Sequence, residues 1–254
     1  MDPRVESASG DTRWNWPCLI LDAAEIVDLR LYWTTQAGET ETLPTDADTI
    51  DLQLATAEPP GEAESLGEPT LSANVLTLAD VDLSDYGGVY RGMALFNNAA
   101  GDCLRRYPFI ASIRPDTFGG EDDRVTIDDL RTFLYDRLAT ENALLADVEF
   151  PDRVLFDGIC GAVRVYNDMF TSEHSTSNLG FPNREMLRIG AAAYALNTGV
   201  RLLARNRLNV SGQADQAQRL ELYAQLAATL NAEYKRWCAE EQREMDMLRG
   251  YGLS

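Results

Sequence analysis

Up to about Pro115 the apolar residues of this chain recur at every second position, and beyond Arg124 they recur every three to four. In EIVDLRLYW, Val27, Leu29, Leu31 and Trp33 alternate with Asp28, Arg30 and Tyr32, the period of a half-buried strand. TIDLQL repeats the pattern with Ile50, Leu52 and Leu54 inward. Further strands are predicted at Pro17 to Leu21, Asn74 to Leu78, Gly88 to Phe96 and Cys103 to Ile113. The links QAGET, AEPPGEAESLGEP and FNNAAGD carry turn chemistry. About six or seven short strands at such spacing predict an antiparallel sandwich.

Between Pro115 and Arg124 the segment DTFGGEDD has the composition of a flexible acidic linker. After it, Thr126 and Asp129 are spaced as a capping box with Asp in place of Glu. Leu130, Phe133, Leu134 and Leu138 then form an apolar helical stripe. A second helix is predicted from Pro151-Asp152, burying Leu155, Phe156, Ile159, Val163 and Tyr166. A third starts near Asn183, a plausible N-cap, and is apolar on nearly every face and rich in Gly and Ala from Met186 to Ala204. Such a helix belongs at the centre of a closely packed bundle. The last helix is predicted from Asp215 to Leu248, about 50 Å long at ~1.5 Å per residue. Leu220, Tyr223, Ala227, Leu230, Tyr234 and Trp237 form a heptad-like seam along it. The fold class is therefore α+β in two domains. Residues 1–116 form the sandwich, 117–124 the linker, and 125–254 a helical bundle with a long last helix.

Charge narrows the partners. With 22 Lys+Arg against 41 Asp+Glu the net charge is −19, so phosphate neutralisation gives no general affinity for nucleic acid, and anionic membranes repel the chain. No run of ~18 apolar residues predicts a membrane span, and MDPRVESASGDTRWNWP carries no apolar core of signal-peptide length. Lys235 is the only lysine, which excludes a Walker-type phosphate loop and leaves one candidate Schiff-base residue.

Catalytic chemistry finds no foothold. His174 is the single histidine and lies in a loop-like TSEHSTS without a nucleophile elbow. Cys18, Cys103, Cys160 and Cys238 are scattered without a CxxC pair, as isolated thiols rather than a metal site. A Cys18–Cys103 bridge between first and last strands is the one conceivable disulfide. Asp80, Asp82 and Ser84 have calcium-loop spacing, but Asp85 replaces the glycine and Arg91 the bidentate glutamate. No catalytic, cofactor or metal residue is assigned, and the chain is expected to be no enzyme. Two features remain as candidate oligomer contacts. Arg201, Arg205 and Arg207 end the third helix, where cations also simply complement the macrodipole. Leu230, Tyr234 and Trp237 lie on the long helix, where core packing uses the same residue types.

Two resemblances carry the reading further. DVDLSDYGGVY resembles the approach to strand F of immunoglobulin-like domains, with Asp85 and Gly87 in place and Tyr90 one residue late. The runs TIDDLRTFLYDRLATENALLADVEFPDRVLFDGICGAVRVYNDMF and GFPNREMLRIGAAAYALNTGVRLLARNRLNVSG, followed by a helix ending AEYKRW, resemble virion structural proteins of tailed bacteriophages. The resemblance covers residues 125–240. It implies a non-enzymatic, ring-forming adaptor at the neck or head–tail connector, assembled in the host cytoplasm into the virion. Its partners would be further copies of itself and portal, neck or tail proteins, with no cofactor, no sequence-specific nucleic acid and no membrane insertion. The competing expectation is a tail-distal, baseplate or fibre attachment protein whose sandwich binds a receptor or carbohydrate. Trp14, Trp16 and Phe96 are the candidate exposed aromatics for that role.

Overall fold

The computed structural model of the chain describes residues 14–22, 26–35, 39–114, 124–136, 150–170, 175–206 and 213–250. It divides into two compact units, Met1–Asp122 and Asp123–Ser254, and the change of hydrophobic period falls at their boundary.

The first unit holds β1 (Trp14–Asn15), β2 (Cys18–Asp22), β3 (Ile26–Leu31), β4 (Thr34–Thr35), β5 (Thr49–Thr56), β6 (Glu64–Gly67), β7 (Thr70–Ser72), β8 (Val75–Asp82), β9 (Gly88–Asn97) and β10 (Cys103–Arg114). One sheet has the order β2-β10-β9-β5-β6, a second β3-β8-β7, and β1 and β4 form a two-stranded ribbon. The strands are not all antiparallel. β2 runs parallel to β10, with Cys18 opposite Ile110 and Asp22 opposite Arg114. Alternation along one strand reports which side chains are buried and not which neighbour the backbone pairs with, so the expected all-antiparallel arrangement gives way to a mixed sheet.

β6 lies inside AEPPGEAESLGEP, a link expected to be pure turn, and β7 follows directly after it. Pro59, Pro60 and Gly61 punctuate that stretch, yet three- or four-residue edge strands need only one partner each. Asp51 on β5 accepts from Ser65 Oγ at 2.5 Å and helps fix β6 in place.

The alternating residues do face a common core. Leu29, Leu31, Trp33, Leu52, Leu54, Phe96 and Phe109 are at most 2% exposed. Trp33, just beyond β3, packs on Tyr107 of β10 with ring centroids 5.3 Å apart, and its Nε1 donates to Pro108 O at 2.7 Å. Tyr107 in turn meets Phe96 edge-on at 5.3 Å. Gly92 is required by this packing. A Cβ there would stand 2.1 Å from the Phe109 ring, far inside contact distance.

The second unit holds α1 (Ile127–Leu134), α2 (Asp152–Asn167), α3 (Arg184–Asn206) and α4 (Gln213–Gly250). Thr126 caps α1 through a complete capping box: its Oγ1 accepts from Asp129 N at 3.2 Å, and Asp129 Oδ2 accepts from Thr126 N at 2.9 Å. The helix stops at Leu134 because Tyr135 turns left-handed at φ 56°. The stripe expected to continue to Leu138 therefore ends one turn earlier, and Leu138 lies outside the described residues. Asn183 caps α3, its Oδ1 accepting from Met186 N at 3.1 Å.

α3 packs against both α2 and α4 through its small residues. A Cβ on Gly158 of α2 would lie 2.8 Å from Ala191 O, and one on Gly190 would meet Tyr234 at 2.9 Å and Ala162 at 3.0 Å. Backbones at such separation bring many weakly attractive atom pairs into range. Among the described residues no helix is long and apolar enough to cross a membrane.

Candidate functional site

Helix α4 has 38 residues, ~57 Å at the usual rise. Its seam turns inward. Ala227 is fully buried and Tyr234 is 2% exposed, with its hydroxyl donating to Ala162 O at 2.8 Å. Trp237 is half-buried and stacks on Tyr166 of α2 at 5.6 Å, while Phe181 lies 5.8 Å away. Leu230 is also half-buried. Tyr234 and Trp237 thus join Tyr166, Phe170 and Phe181 in one aromatic cluster inside their own unit, where burial of such rings dominates packing energy. Arg201 is exposed near the end of α3. The side chain of Arg205, and Arg207 altogether, lie outside the described residues, so the arginine cluster is not assembled on the structure.

Because Gly190 faces Tyr234 and Gly199 faces Tyr223, α3 and α4 run antiparallel, and the start of α3 at Arg184 falls opposite residues near 240. The end of α4 runs on past that point. There Glu244 and Asp246 are exposed together with Met247 at 57% and Leu248 at 49%.

A buried polar clasp was not legible in the pattern. Arg131 of α1 is 6% exposed and Asp136 is 7% exposed. Arg131 Nη1 pairs with Asp136 Oδ2 at 2.9 Å, and Nη2 reaches Phe150 O at 3.0 Å and Asp152 Oδ1 at 2.5 Å. Asp136 Oδ2 also accepts from Phe150 N at 2.9 Å. The clasp ties the end of α1 to the start of α2, although thirteen residues of sequence, 137–149, separate Asp136 from Phe150. An arginine at a helix's inward position, followed by two aspartates at the ends of the next connection, is the signal that would have found it.

The aromatics proposed for ligand binding are placed otherwise. Phe96 is fully buried against Tyr107, which corrects its expected exposure: it sits on the inward register of β9. Trp16 is half-buried, and the side chain of Trp14 lies outside the described residues. The conceivable Cys18–Cys103 bridge is also corrected. Neither cysteine forms a disulfide. Cys18 sits opposite Ile110, seven residues along β10 from Cys103, or ~23 Å at the usual strand rise. His174 lies outside the described residues.

The Cys238 thiol and the phenols of Tyr86, Tyr166 and Tyr234 are held in their protonated forms. Burial pushes the Cys238 thiol up to about 11, so it carries little thiolate at neutral pH and makes a poor nucleophile. Burial likewise pushes Tyr166 up to about 12, and Tyr86 up to about 12 with help from the Glu64 carboxylate that its hydroxyl contacts at 3.1 Å. Tyr234 is raised by the same cause. Among the described residues no three His, Cys, Asp or Glu side chains converge as a metal site.

These phenols set an alkaline limit. An unfolded chain releases its tyrosine protons near the ordinary value of 10, and the folded one holds Tyr86 and Tyr166 protonated to about 12. Their contribution to stability is therefore complete below pH 10 and is lost as pH rises toward 12. Titration followed by tyrosinate absorbance and circular dichroism should show late ionisation coincident with loss of structure. Independent ionisation of every tyrosine near pH 10 with structure intact would contradict the placement of these side chains.

No protein-family model matches the chain, and no curated protein matches it. Among solved structures, the neutron crystallographic structure of a Jonesia denitrificans lytic polysaccharide monooxygenase is similar at 15% identity and a TM-score of 0.23. The match covers 42% of this chain and 65% of that one, less than two thirds of its length. A likeness of that size carries no argument about fold or chemistry.

Proposed function

We propose that the chain is a non-enzymatic structural component of a tailed bacteriophage particle, a ring-forming adaptor at the neck or head–tail connector. The observation that carries this reading is a helix that outruns its own unit. The end of α4 passes the start of α3 and presents Met247 and Leu248 to solvent, apolar surface that a neighbouring subunit would cover. The sequence resemblance of residues 125–240 to phage virion proteins supports the same reading. Leu230, Tyr234 and Trp237 serve it indirectly, by stiffening the bundle from which α4 projects.

The first unit is, on this reading, an immunoglobulin-like sandwich appended to the adaptor. Its strand order supports that assignment. With β3, β8 and β7 taken as strands B, E and D, and β5, β6, β9 and β10 as C, C′, F and G, both sheets have the immunoglobulin order. Tyr90, third residue of β9, accepts at its hydroxyl from Gly87 N at 3.2 Å, which matches a tyrosine corner displaced by one residue. The receptor-binding alternative has lost Phe96 to the core, and no other observation favours it. Native mass measurement on the full-length chain tests the proposal. A single closed oligomer is expected, and a monomer at all concentrations that never joins particles would overturn it.

A further inference from the structure

Helix α1 is the first element of the helical unit and has eight residues, too few to hold a helix in water without packing. It buries Ile127 and Leu130 completely, with Val125, just before it, nearly so. α2, by comparison, buries Leu155, Phe156, Ile159, Val163 and Tyr166. Much of what else holds α1 in place is polar. Arg184 Nη2 of α3 donates to Asp129 Oδ1 at 2.9 Å. The Arg188 guanidinium lies 5.1 Å from the centre of the Phe133 ring. Arg131 reaches Phe150 O and Asp152 at the start of α2 through the clasp.

These contacts carry costs that only the docked helix bears. Arg184 and Arg188 both lie against α1, and the Nε of each is buried with no hydrogen-bond acceptor among the described residues. A buried donor left unpaired gives up its hydration without return. Arg131 and Asp136 are buried together, and the attraction within such a pair barely repays the hydration that both ions lose. Tyr135 holds φ 56° with its ring 94% exposed, so a left-handed conformation that disfavours side chains is offset by little packing of its own. Undocking α1 relieves all of these at once. It hydrates Arg131 and Asp136 together, so no charge is stranded, and it frees Tyr135 to turn.

We infer that α1 is a latch: it opens as one cooperative piece, together with the clasp, while α2, α3 and α4 stay folded. Local units of this kind open at free energies below that of global unfolding. Opening bares the surface of α2 and α3 that α1 covers and adds the residues of α1 to the chain joining the two units. A partner that binds the bared surface would shift the population toward the open form. Ring formation is not required for the latch to operate, so a monomeric chain leaves it standing.

Native-state hydrogen exchange on the full-length protein, read at single amides by NMR in low urea, tests it. The amides of α1 from Leu130 to Leu134, and that of Asp136, bonded to Arg131 O at 2.8 Å, should share one opening. Phe150 is the telling position. Its amide donates to Asp136 Oδ2, so it should exchange with α1 and not with α2. Corrected for intrinsic rates, this set should exchange ~100-fold faster or more than the amides of α3 from Ala191 to Leu196. Tyr234→Phe keeps the ring and loses the hydrogen bond to Ala162 O. It should speed the α3 amides ~5-fold, the worth of one such bond, and leave the α1 set and Phe150 unchanged. A Phe150 amide that exchanges with α2, or graded fraying inward from Leu134 without a common opening, would overturn the latch. So would an α1 that exchanges in step with α3 in both proteins.

Discussion

Replacing Arg131 with alanine should destabilise the helical unit by ~3–5 kcal/mol, the usual cost of stranding one partner of a buried ion pair. Asp136 would then keep its carboxylate buried beside Phe150 N without the Arg131 guanidinium, and Phe150 O would lose the Nη2 donor. A domain's whole stability is only ~5–15 kcal/mol, so the loss would be visible in urea unfolding followed by circular dichroism. The companion variant R131M/D136N removes both charges while keeping an acceptor near Phe150 N. It should recover much of the loss, because the one carboxylate it leaves unpaired, Asp152, is partly open to solvent and no fully buried charge is stranded. A change of under ~1 kcal/mol for Arg131→Ala would mean the pair behaves as an exposed one and that the clasp is not buried as described.

Trp33→Ala should cost the first unit a similar ~3–5 kcal/mol, the range for emptying a large aromatic site in a core. The indole is fully buried, touches Tyr107 and satisfies Pro108 O through Nε1. Trp33→Phe separates these contributions. It retains most of the ring contact and loses the hydrogen bond, a step of ~0.5–1.5 kcal/mol. If alanine and phenylalanine cost the same, the hydrogen bond and not the ring packing carries the site.

The residues that could be read in advance are those whose role is local. Thr126 and Asp129 announce a helix start by spacing alone, because the capping box closes within four residues. Leu29, Leu31 and Trp33 announce a buried strand face because side chains alternate across any sheet. What could not be read depends on chain segments far apart. The parallel pairing of β2 with β10 joins residues some ninety positions apart, and no local pattern specifies it. The Arg131 clasp joins α1 to α2 across 137–149, and its members look individually like surface charge. Tyr234 and Trp237 show the limit most directly. A heptad-like row says that a helix face is buried, and only the structure says that α2 and α3, within the same chain, bury it. The end of α4 is the opposite case: the length of the helix is legible, its charged run AEEQREMDM looks like solvated surface, and Met247 and Leu248 matter only because α3 stops short of them.

The central proposal is that this chain is a fixed-copy structural part of a tailed phage particle. Purified particles from cells carrying its gene, analysed by quantitative mass spectrometry and electron cryo-microscopy, test that most directly. The expected result is a constant copy number per particle, with density for a ring of these subunits at the neck. Particles that assemble complete and contain none of the chain would contradict it.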